Sequence, residues 1–116
     1  MAEKILILGG GESGVGTALL AQQKGLNPFV SDNKNIASQF RQELEKVGIP
    51  FEEGGHSDKL LDESIEIIKS PGISPDVEII QKGKDKGLNV IGDIEFAWRY
   101  CEGRIIAITG TNGKTT

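Results

Sequence analysis

The segment KILILGGGESGVG, from Lys4 to Gly16, constrains the fold of this chain more than any other. A short apolar run, rich in isoleucine and leucine and ending in glycine, is the pattern of a strand buried on both faces, as in a parallel sheet. Gly9, Gly11 and Gly14 then fall as G-x-G-x-x-G at the junction with a helical pattern. In that pattern Val15, Ala18, Leu19 and Gln22 share a face, and Gly25 stops the helix. In such a strand–turn–helix unit the first glycine permits the tight turn, the second lets a backbone approach a diphosphate, and the third lets helix and strand pack closely. The helix N-terminus offers unpaired N–H groups and a partial positive charge to an anion, and Ser13 can add a hydroxyl donor. Glu12 places a carboxylate at the same turn, so its side chain is expected to point to solvent. A turn that serves close packing alone is the alternative.

The rest of the chain repeats the alternation. NPFVSD reads as a second strand ending at Asp32. Ile36, Phe40, Leu44 and Val47 then share a helical face closed by Gly48. IPFEEGG is a weak third strand, and Ser57 is placed to cap a short helix through Leu60 and Leu61. SIEIIKS is β-rich. Ser74 and Pro75 give an N-cap and a first-turn proline for a helix running through Val77 and Ile80 to a stop near Gly87. LNVIG is a fifth strand, and a last helix spans Asp93 to Cys101. The expectation is an α/β fold: a Rossmann-like three-layer domain over residues 1–102 with a mostly parallel five-stranded sheet. GRIIAIT reads as the first strand of a second domain, so residues 103–116 are expected to be its truncated start. An exposed apolar strand of that kind invites pairing with another chain or a domain edge.

Composition removes several classes of function. Thirteen basic and seventeen acidic residues are interleaved, giving a net charge of −4 with no basic stripe for a phosphate backbone. Aromatics are 5%, too few for a base-stacking platform. Nucleic-acid binding is therefore not expected. The single cysteine, Cys101, excludes an internal disulfide, and the opening apolar run is too short for a membrane span or a signal peptide. These features point to a cytoplasmic protein with no membrane partner.

Asp32 ends the second strand, where an acidic residue can bond a ribose or base of a nucleotide; a solvated turn aspartate is the alternative. His56, the one histidine, is expected at the surface, and Asp93 and Glu95 fit a helix start without further function. At the other end of the chain, GTNGKTT follows an apolar strand. Glycine turns, Lys114 and Thr115 there suit a phosphate loop, in which the lysine holds phosphates and the hydroxyl ligates Mg²⁺. The usual G-x-x-x-x-G-K-[ST] spacing is missed, because position 108 is Ile108.

A glycine loop of dinucleotide type at one end and AITGTNGKTT at the other resembles the muramyl (Mur) ligases of bacterial peptidoglycan synthesis, whose ATP loop has this short form. SPGI (Ser70 to Ile73) and GDIE (Gly92 to Glu95) are similar to the member that adds D-glutamate to UDP-N-acetylmuramoyl-L-alanine. The resemblance spans the whole chain. It implies an ATP- and Mg²⁺-dependent ligase acting through an acyl phosphate, of which this piece would bind UDP without catalysing anything itself. By the same resemblance, Gly9, Gly11, Glu12, Ser13 and Gly14 match the diphosphate loop. Asp32, Asn33 and Lys34 match the segment that recognises uracil, and Ser70, Pro71 and Gly72 match the segment against its other face. Gly110, Thr111, Asn112, Gly113, Lys114, Thr115 and Thr116 match the ATP loop, with Thr115 toward the metal. Lys34 departs from the arginine common in the family and cannot stack a guanidinium on the base. On the glycine loop alone, an NAD-binding domain of an oxidoreductase remains an alternative, as does a regulatory nucleotide-sensing module.

Overall fold

The computed structural model describes residues 4–73 and 77–100. Five strands, β1 (Lys4–Leu8), β2 (Asn27–Asp32), β3 (Phe51–Glu53), β4 (Glu66–Lys69) and β5 (Asn89–Gly92), form one sheet in the order β3-β2-β1-β4-β5. Every pairing is parallel. Five helices connect and cover it: α1 (Glu12–Gln23), α2 (Ser38–Lys46), α3 (Lys59–Glu63), α4 (Glu78–Asp85) and α5 (Asp93–Tyr100).

Side chains of a strand alternate between faces, and β1 shows why its run had to be apolar throughout. Ile5 and Ile7 pack with Val15, Ala18 and Ala21 of α1, Leu44 of α2 and Phe96 of α5. Leu6 and Leu8 pack on the opposite side with Leu60 and Leu61 of α3 and Ile79 and Ile80 of α4. Both faces of the sheet are thus covered by helices, in three layers. Phe96 is fully buried and meets the Tyr100 ring edge-on at 5.1 Å between centroids.

Three local expectations are corrected. Helix α2 begins at Ser38 and ends at Lys46, so Ile36 and Val47 lie outside it; Ile36 is buried in the approach to the helix, whereas Val47, at its end, is 38% exposed. Ser57 does not cap α3 with its side chain. Its carbonyl accepts the Leu60 N–H at 3.1 Å, while its hydroxyl donates to Glu52. Helix α4 starts at Glu78 with Val77 in the extended cap position, later than a start at Pro75. Ser74, Pro75, Cys101 and residues 103–116, including the expected strand and phosphate loop, lie outside the described residues.

Candidate functional site

Strand order reverses on either side of β1: the chain runs outward through β2 and β3, then returns to place β4 on the other flank. The loops leaving β1 and β4 therefore diverge at their carboxyl ends, which opens a crevice there.

The glycine loop lies at this crevice. Gly9 has φ +110° and donates its N–H to the Ser31 carbonyl at 2.8 Å, continuing the β1–β2 ladder by one step. A Cβ at Gly14 would stand 1.8 Å from the Gly9 carbonyl oxygen, so helix and loop are in backbone contact. Gly11 is different. It occupies the N-cap of α1 at φ −87°, with open space where a Cβ would project and no side chain capping the first turn.

Asp32 ties the neighbouring loop to this one. Its Oδ2 accepts the Gly10 N–H at 2.8 Å and its Oδ1 accepts the Lys34 N–H at 2.9 Å. A carboxylate has about four acceptor sites, so two bonds leave capacity for a ligand donor. Asp32, Asn33, Lys34, Ser70, Gly72, Ile73 and Val77 line one cleft of about 380 Å³. That volume falls at the lower end of the roughly 300–1,000 Å³ usual for small-molecule sites. Among the described residues, Ser70 Oγ is fully buried without a hydrogen-bond partner, and it lies where a Cβ on Gly9 would approach to 2.6 Å. The structure thus brings the 9–14, 32–34 and 70–72 segments to one place. Glu12 is exposed, as its charge required, and Pro71 is exposed beside the cleft.

Two residues gain contacts that the sequence did not suggest. Asp93 accepts a hydrogen bond from Ser13 Oγ, joining the start of α5 to the start of α1. His56 is half-buried rather than fully exposed, with Nδ1 2.6 Å from Ser31 Oγ. Burial lowers its pKa below the ordinary value of 6.5, although Glu52 and Asp32 pull the other way. The signal that could have found it is the pair Gly54–Gly55 directly before it, at φ +81° and +152°. Such a pair marks a turn held in a conformation that side chains rarely adopt. Among the described residues, no group of three or more His, Cys, Asp or Glu is placed to hold a metal, and no helix is long and apolar enough to cross a membrane.

Residues 4–79 match the MurD N-terminal domain family. The chain belongs to that family. It is 51% identical over 112 residues to a UDP-N-acetylmuramoylalanine–D-glutamate ligase of Porphyromonas gingivalis, covering 97% of this chain and 25% of that protein. The corresponding ligase of Cytophaga hutchinsonii is 48% identical over 118 residues, covering all of this chain and 26% of the relative. The chain therefore spans about a quarter of the length of these relatives. Among solved structures, a murein peptide ligase from Psychrobacter arcticus superposes with a TM-score of 0.76 at 26% identity, over 85% of this chain and 21% of that one. The Thermotoga maritima UDP-N-acetylmuramate-alanine ligase gives 0.68 at 22% identity, over 80% and 21%. A precorrin-2 dehydrogenase, SirC, gives 0.54 at 16% identity over 77% and 43%, and shares the fold alone. The family match thus favours the Mur ligase resemblance over the dehydrogenase alternative.

Proposed function

We propose that this chain is the UDP-substrate-binding part of an ATP-dependent ligase that adds D-glutamate to UDP-N-acetylmuramoyl-L-alanine, a cytoplasmic step toward peptidoglycan. Residues 1–102 form the binding domain, and 103–116 begin the ATP-binding domain of the longer enzyme, with Lys114 on ATP phosphates and Thr115 toward Mg²⁺. In the full reaction the L-alanyl carboxylate takes the terminal phosphoryl group of ATP, releasing ADP. The D-glutamate amine then displaces phosphate to leave an amide.

The binding half rests on one observation above the rest. Gly14 is glycine because the fold leaves no room for a Cβ, but neither sterics nor backbone angle demands glycine at Gly11. A glycine unexplained by the fold, at the open end of a helix whose first N–H groups lack a side-chain cap, suits the close passage of a diphosphate. The diphosphate lies along Gly11–Ser13. The uracil enters the cleft between Asp32–Lys34 and Ser70–Gly72, where Asp32 accepts from its polar edge.

Titration of the chain with UDP-N-acetylmuramoyl-L-alanine and, in parallel, NADH tests this through backbone amide shifts. The expected result is movement at Ser13, Asp32, Lys34 and Gly72 with the UDP compound alone. Binding of NADH alone would overturn the reading.

A further inference from the structure

We propose that His56 is a positioning residue for the base-binding end of the site, acting through the Ser31 hydroxyl and the Gly54–Gly55 turn to hold the Asp32–Lys34 segment in shape. The inference deepens the nucleotide reading above and rests on it.

Ser31 is fully buried, one residue before Asp32, which lines the cleft. Its Oγ lies 2.6 Å from His56 Nδ1, 3.1 Å from Glu52 Oε2 and 3.3 Å from the Gly55 carbonyl. A hydroxyl has one proton to donate, so these three neighbours compete for it. With the imidazole neutral and its proton on Nε2, Nδ1 is the shortest available acceptor. Glu52 also accepts the Ser57 N–H at 2.8 Å and the Ser57 hydroxyl, and it lies farther from Ser31 Oγ than Nδ1 does. Burial pushes the Glu52 carboxyl up, but those Ser57 bonds, with Ser31 and His56, hold it below its ordinary value.

The same turn is laced to the cleft by its backbone. Gly55 donates its N–H to the Asp32 carbonyl and Gly54 donates to the Lys34 carbonyl, both at 3.2 Å. Asp32 in turn receives the Gly10 and Lys34 amides on its carboxylate. His56 therefore anchors a chain of contacts: His56 to Ser31, the 54–55 turn to the carbonyls of residues 32 and 34, and Asp32 to the glycine loop. Nothing in this chain needs His56 to touch a ligand. It sets the orientation of the Asp32 carboxylate that would.

The test uses the 116-residue chain as wild type, His56→Leu, His56→Asn and Ser31→Ala. Asparagine can offer an amide oxygen near the place of Nδ1, and leucine cannot. In ligand-free protein, hydrogen exchange at the Gly10, Lys34, Gly54 and Gly55 amides reads the segment directly, and titration with UDP reads its consequence. His56→Leu is expected to speed exchange at these amides and to weaken UDP about five- to tenfold, the upper half of what one hydrogen bond contributes. His56→Asn should recover UDP affinity to within about threefold of wild type, since the acceptor is restored. Ser31→Ala combined with His56→Leu should cost less than the two effects added, because both act on one contact. Leucine and asparagine variants binding UDP alike would overturn the proposal, as would unchanged UDP affinity in His56→Leu. If wild type fails to bind UDP while the four amides still respond to His56→Leu and recover in His56→Asn, the uridine reading falls and the positioning role of His56 is upheld.

Discussion

Gly11 and Gly14 carry the same side chain in the same loop for different physical reasons, and exchanging each for alanine separates them. At Gly14 the new Cβ would sit 1.8 Å from the Gly9 carbonyl oxygen and 2.8 Å from its carbon. Neither atom belongs to a flexible side chain. The start of α1 and the end of β1 must part until the Cβ–oxygen distance reaches at least 3.0 Å. That parting strains the Gly9 N–H bond to Ser31 and the Gly10 bond to Asp32. Overpacking costs typically 1–3 kcal/mol, and a rigid backbone clash belongs at or above the upper figure, about 3 kcal/mol. For a domain of about 100 residues this lowers the melting temperature by about 15 °C. At Gly11 the Cβ meets nothing within 4 Å and φ is already −87°. Gly11→Ala should cost only the weaker N-cap preference of alanine, within about 1 kcal/mol. In the proposed complex, however, that methyl occupies the path of the diphosphate, and UDP binding should weaken at least about tenfold. Thermal unfolding and a UDP titration of both variants provide the assay. A Gly14→Ala variant as stable as wild type would refute the packing argument. A Gly11→Ala variant that binds UDP normally would remove the diphosphate from this loop.

Two further outcomes are expected. Glu66, almost fully buried in β4, accepts both Arg99 Nη groups at 2.8 and 2.9 Å and the Asn89 amide at 2.9 Å; Glu66→Gln should destabilise the domain by about 2 kcal/mol in urea unfolding, the range for charged hydrogen bonds. The Arg99 bonds hold the Glu66 carboxyl below 4.5 despite the opposing effect of burial, so its stabilisation is present above that pH and is lost as pH falls through the folded value. A Glu66→Gln variant should accordingly lose less stability than wild type on acidification below 4.5, and an identical acid profile would contradict this. Lys34→Arg supplies the planar cation that the Mur ligase resemblance implies at this place. If the uracil lies over Lys34, UDP should bind tighter by at most about two- to fivefold, because the lysine already supplies part of the roughly 0.5–1 kcal/mol of a cation over a ring and arginine adds planar stacking; unchanged or weaker binding in calorimetry would place the base elsewhere.

The parts of this domain that were legible in the sequence are those whose cause is local. A β1 of four consecutive aliphatic residues has to be covered on both faces, and the glycines that follow have to turn the chain into α1, whatever happens later. The parallel sheet follows from that alternation repeated. Helix limits were read less well where a stripe of apolar residues outran its helix: Ile36 and Val47 keep the spacing of Phe40 and Leu44, yet one lies before α2 and the other after it. Spacing registers which residues face inward and cannot show whether the backbone between them is helical.

The contacts that escaped the sequence join residues far apart in it. Ser31 and His56 are separated by 25 positions, and Ser13 and Asp93 by 80. No periodicity links them, because each pair meets only after the sheet has set its order. Asp93 shows what that order achieves. In the sequence, the GDIE segment is only a mark of resemblance, and its carboxylates suit a helix start. In the fold, β5 lies on the flank of β4 away from β1, yet α5 leaves it and crosses back over the sheet to pack against α1. That return carries Asp93 to Ser13 at the mouth of the glycine loop. The same carboxylate oxygen pair also receives its neighbour's N–H, from Ile94 to Oδ1 at 2.8 Å, so one residue fixes the start of α5 and reaches the start of α1. The N-termini of the two helices are thus joined through one aspartate. The loop that opens α1 is thereby braced from two sides, by Asp32 through the Gly10 amide and by Asp93 through the Ser13 hydroxyl, and Gly11 is left between them with its face open.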